Sequence, residues 1–177
     1  MFLFGKKNSV SPEEKKKEIE GKMFQEAKEK FMPYWAVDDA AQALVKRKIA
    51  TNVETERDRI ISELVDNGYI VGQIATKGAG KNNKPKKAEQ MVWQHMVTFV
   101  DMILKFNQSQ EGKFRRLDGL VRECEYMYYY MTDGATLEDA KKVVAGMIEE
   151  INEKIQKGEI GTWTESEYKV YQQMKNR

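Results

Sequence analysis

A disulfide needs two cysteines, and this chain has one, Cys124, so it has no internal covalent framework. That usage suits a reducing compartment, and a cytoplasmic protein is the expectation. Histidine is equally scarce. His95 stands alone, so a metal site would have to draw every other ligand from carboxylates or Cys124. No Glu-x-x-His pair of the kind used by carboxylate di-metal bundles occurs. With no second histidine and no glycine-rich elbow around a serine, nucleophilic triads have little support. The expectations are therefore no catalytic residues, no metal, no cofactor and no enzymatic activity. An unrecognised carboxylate site in a helical enzyme stays open as an alternative.

Proline is rare, at three residues, which leaves long stretches free to be helical. One-signed charge is also missing: the net charge of +2 creates no global field, so any polyanion partner must be argued from local clustering. The most apolar run, Met91 to Phe106, is too short to span a bilayer and carries His95, Asp101 and Lys105. It reads as a buried core helix. Met1-Phe2-Leu3-Phe4-Gly5-Lys6-Lys7 is apolar and then basic, the reverse of a secretory signal, and membrane association is not expected.

What is present is amphipathic helix. Hydrophobic residues make up 41% of the 177 positions, enough to bury a core. Ser11-Pro12-Glu13-Glu14 reads as a capping box with proline at the first helical position. Ile19, Met23, Ala27 and Phe31 follow on one stripe, with Pro33 as the stop. A second helix begins near Asp38. Thr51-Asn52-Val53-Glu54 either caps a new helix or lies within one that runs on to Val65. Asn67-Gly68 is a C-terminal stop, and Tyr69-Ile70-Val71 is a short extended piece with no evident partner strand.

The span Lys87 to Asn107 is apolar nearly all round, which places it at the centre of a bundle. Phe114, Leu117, Val121, Cys124, Tyr128 and Met131 form a seam spaced by three and four, and Leu137, Ala140, Val144, Met147, Ile151 and Ile155 form another. Thr136 and Thr164 cap the last two helices. The fold class is all-α, a compact bundle of five to six helices with one basic loop over about residues 75–87. The domain reading is a flexible tail over 1–10 and a single helical domain over 11–177.

That basic loop is the one strongly polarised segment. Gly72 to Ala88 holds five lysines, three glycines and no acid. It approaches a phosphate-binding loop at Gly80-Lys81, but Ala75 stands where the first glycine belongs and Asn82 where a hydroxyl must meet magnesium. Nucleotide hydrolysis is excluded. Lys77, Lys81, Lys84, Lys86 and Lys87 remain as candidate contacts to phosphates, which position a protein without reading bases. Tyr126, Tyr128, Tyr129 and Tyr130 lie on one helix at roughly 100° intervals, so some rings must leave the core seam. Tyr126, Tyr129 and Tyr130, with Phe2 and Phe4 of the tail, are candidate interface residues.

Arg57-Asp58-Arg59-Ile60-Ile61-Ser62-Glu63-Leu64-Val65-Asp66-Asn67-Gly68-Tyr69-Ile70-Val71, then a Lys/Gly/Asn loop and a second apolar helix, resembles the helical hairpin of phage small terminase subunits. The likeness covers residues 54–107, under a third of the chain, with Lys84-Pro85 nearest to the family's Asn-Pro after the loop. It implies a ring-forming protein that binds viral DNA for packaging. The function expected is a non-catalytic helical assembly protein, oligomeric or part of a larger complex, whose basic loop contacts nucleic acid. Dedicated nucleic-acid binding of the small-terminase type is the alternative.

Overall fold

The computed structural model describes residues 10–74, 77, 84–106 and 116–176. Among them are seven α-helices and one two-stranded sheet, so the all-α class holds with one helix more than the upper expectation. Where the sequence leads to one domain over 11–177, residue contacts group the chain into two compact units, 1–75 and 76–177.

The first unit opens with α1 (Pro12–Phe24), held by a complete capping box: the Ser11 hydroxyl accepts from Glu14 N–H, and the Glu14 carboxylate accepts from Ser11 N–H. The helix stops well short of Pro33. Backbone hydrogen bonds run both ways between Lys28 and Phe31, with Glu29 at φ +54°, and turn the chain out of helix. Phe31 and Met32 then enter β1 (Phe31–Pro33), where both are fully buried. Pro33 serves as the N-cap of α2 (Tyr34–Lys46). The chain breaks again before α3 (Val53–Asp66), which Asn52 caps by accepting from Thr55 N–H. Gly68 at φ +80° ends that helix as the Asn-Gly pair predicts.

The extended piece after Gly68 has a partner after all. β2 (Ile70–Gly72) pairs in parallel with β1, Phe31 opposite Ile70 and Pro33 opposite Gly72, and α2 with α3 forms the crossover that parallel strands require. Gly72 is a close-approach position: a Cβ there would lie 2.1 Å from the Phe31 ring. One guanidinium ties the helices together. Arg59 reaches Glu20 of α1 at 3.0 Å, and Glu56 and Glu63 of its own helix at 2.9 and 2.7 Å.

The second unit holds α4 (Pro85–Phe106), α5 (Leu117–Met131), α6 (Leu137–Gln156) and α7 (Glu165–Lys175). The expected seams are buried, Leu117, Val121, Cys124, Tyr128 and Met131 on α5 and Ala140, Val144, Met147, Ile151 and Ile155 on α6, except that Leu137 in the first turn of α6 is half-buried. Phe114 lies outside the described residues. The placement of α4 at the dry centre is corrected. It buries one stripe, Ala88, Val92, Met96, Val100 and Ile103, while Trp93 is half-buried and Met91 is 36% exposed. The helix packed by α4, α6 and α7 is α5. With only three neighbours to share, a four-helix unit surrounds one helix and leaves α4 a solvent side.

Candidate nucleic-acid interface

The basic segment leads into α4. Lys84 closes the first turn with its backbone, its carbonyl accepting from Lys87 N–H at 3.0 Å and Ala88 N–H at 3.2 Å. Its side chain carries donors only, so it cannot cap the helix as Ser11, Asn52, Thr136 and Thr164 cap theirs. The first turn of α4, like that of α2, contains no acid, whereas Glu or Asp occupies the first turn of α1, α3, α5, α6 and α7. Lys84, Lys86 and Lys87 are all exposed, and none forms an ion pair among the described residues. Cations here oppose the helix dipole, which favours negative charge at this end.

The remaining candidates are placed less decisively. Lys77 is an exposed turn residue with an interaction of its own, and Lys81, Phe2 and Phe4 lie outside the described residues. Tyr126, Tyr129 and Tyr130 are half-buried on α5, while Tyr128 is buried, in keeping with their angular spacing. The structure does not bring these tyrosines out as an exposed patch.

Two buried carboxylates escape the sequence reading of acids as solvated faces. Glu123 of α5 is 1% exposed, with Oε1 3.4 Å from Nε2 of His95, whose ring packs on Phe99 at 4.5 Å. Glu123 lies three residues after buried Leu120 and four before buried Met127, a spacing that marks it as inward-facing. Glu167 of α7 accepts from Leu117 N–H at 3.2 Å and so caps α5, whose own N-cap residue Arg116 offers no side-chain acceptor. Both acids join helices within the unit. Among the described residues, no group of three or more His, Cys, Asp or Glu is placed to hold a metal ion, and no helix is long and apolar enough to cross a membrane.

Comparison of the chain with protein-family models, curated proteins and solved structures finds no match.

Proposed function

We propose that this chain is a non-catalytic α-helical assembly protein that contacts nucleic acid through the phosphates facing its Lys77–Lys87 segment. One observation carries the reading: three exposed lysines, Lys84, Lys86 and Lys87, stand at the acid-free start of a 22-residue helix with no ion pair among the described residues. Each opposes the helix dipole by roughly 0.3–1 kcal/mol, a cost that a bound phosphate reverses.

Fluorescence anisotropy with a labelled DNA duplex, repeated across salt concentrations, tests the contact. Three phosphate contacts contribute a log–log slope of roughly −2.7, which the Lys84→Ser, Lys86→Ser, Lys87→Ser triple variant should remove. Equal binding by that variant, or binding indifferent to salt, sinks the proposal.

Self-association is the second half of the reading. It is favoured by apolar surface left on α4 at half-buried Trp93 and Val97, away from Met91. Light scattering should find an oligomer, and a clean monomer at high concentration refutes this half. The small-terminase form of the proposal, a ring delivering viral DNA, rests on the order of α3, its Asn-Gly stop, the basic segment and α4. The intervening strand β2 departs from a plain helical hairpin.

A further inference from the structure

We infer that the solvent side of α4, from Lys84 to Thr98, reads base edges in the major groove of double-stranded DNA. The inference rests on the nucleic-acid reading above and adds sequence selectivity to it.

The face is defined by what α4 buries. With Ala88, Val92, Met96 and Val100 turned inward, Lys84, Lys87, Gln90, Met91, Gln94 and Thr98 are exposed, at spacings of three and four. The one acid in that span, Glu89, points about 140° away from Gln94 around the helix.

On α1, α3 and α7 the solvated faces carry paired charges, whereas Lys141 and Glu150 on α6 are exposed with no ion pair among the described residues. Lys16 meets Glu20 and Lys22 meets Glu18 on α1, Arg59 meets Glu56 and Glu63 on α3, and Lys169 meets Glu165 on α7. Between Lys84 and Thr98 the α4 face has no ion pair among the described residues. It carries amides instead. Neither Gln90 nor Gln94 has its side chain engaged among the described residues. The ordinary pattern returns at Asp101 and Lys105, paired at 2.6 Å.

These side chains suit a B-form major groove. A glutamine amide offers one donor edge and one acceptor, the complement of adenine N6 and N7. The Thr98 hydroxyl donates to the Gln94 carbonyl at 2.8 Å, which leaves its methyl for a thymine methyl, and exposed Met91 offers the same apolar contact. Lys87 reaches guanine or a flanking phosphate, and Lys84 and Lys86 reach phosphates. A helix about 10–12 Å across fits a groove about 12 Å wide, and the face runs roughly 21 Å along the axis. The deep, narrow major groove of A-form RNA does not admit it.

The test is selection by the full chain from a pool of DNA duplexes with a randomised core, followed by affinity measurements on the enriched and random duplexes. An adenine-containing motif should emerge. Gln90→Ala and Gln94→Ala should each weaken the enriched duplex roughly 5- to 150-fold while leaving salt-dependent binding to random duplex intact. Alanine is the best helix former, so these exposed changes keep α4 folded. Salt-dependent binding without enrichment overturns base reading and leaves the phosphate contact standing. So does a motif unaffected by both glutamine variants, or equal affinity for duplex RNA of the same sequence. No binding to any duplex overturns both proposals.

Discussion

Adding one methyl group at Gly72 tests the parallel strand pair at its tightest point. A Cβ at this position would stand 2.1 and 2.2 Å from two carbons of the Phe31 ring, far inside any real carbon–carbon contact. The ring is 0% exposed and sits in β1 opposite Ile70, so it cannot swing into solvent. Gly72 is not at positive φ, so its backbone alone would tolerate alanine and even gain roughly 0.4–1 kcal/mol from reduced unfolded-state freedom. Overpacking costs about 1–3 kcal/mol and wins. Gly72→Ala is therefore expected to be destabilising by roughly 1–2 kcal/mol net. Denaturant unfolding measures the loss, and peptide-resolved hydrogen exchange should locate it in residues 31–74. Phe31→Leu in the Gly72→Ala background should recover part of the loss, giving a favourable coupling energy of about 0.5–3 kcal/mol in a double-mutant cycle. A Gly72→Ala protein as stable as the parent, or additivity in the cycle, refutes the contact.

Glu167→Ala removes the acceptor for the buried Leu117 N–H, and unfolding measurements should show a loss of roughly 1–3 kcal/mol. Hydrogen bonds from Arg47, then Lys22, hold the Glu18 carboxyl down from its ordinary 4.5 to about 2. Its folded pKa is depressed, so its contribution to stability is present above pH 4.5 and lost as pH falls towards about 2. Carboxyl NMR titration should follow this, and Arg47→Ala should move the midpoint upward. At the other extreme, burial first and then the hydrogen bond to Glu149 push the Tyr171 phenol from 10.0 up to about 12. Its stabilising effect is full below pH 10.0 and fades as pH rises through about 12, so one tyrosine should lag the others in an alkaline absorbance titration. Lys86→Glu with Lys87→Glu should raise stability by about 0.3–1 kcal/mol per charge while abolishing duplex binding, a pairing that a merely solvated segment would not produce.

Local chemistry wrote the parts of the fold that the sequence announces. Ser11 with Glu14 and Thr136 with Asp139 are complete as capping boxes, because both partners lie within one turn. The α5 and α6 seams are legible because a three-and-four spacing fixes a helical face whatever it meets. The strand pair was not legible. Phe31-Met32-Pro33 continues the apolar stripe of α1, and only the distant Ile70-Val71-Gly72 makes an extended state preferable. Central burial of α4 failed for a related reason. Composition reports how much apolar surface a helix has, but the number of neighbours decides how much is covered. Glu123 and Glu167 were hidden by their charge, since His95 and the Leu117 amide that receive them lie on other stretches of chain.

The clustering of lysines is plain in the sequence, but that Lys84, Lys86 and Lys87 form no ion pair among the described residues is not, since Lys86 has Glu89 three residues on and could have paired with it. That such a helix start survives is a matter of magnitudes. Burying Val92, Met96, Val100 and Ile103 contributes roughly 1.5–3 kcal/mol each, against about 0.3–1 kcal/mol lost at each of three misplaced cations. Packing on one side of α4 thus outweighs unfavourable charge at its head several-fold. The same stripe, by fixing which way the helix is turned, sets Lys87, Gln90, Met91, Gln94 and Thr98 towards solvent. A face held this way needs no favourable contacts of its own in the free protein, which leaves its lysines and amides available to a ligand.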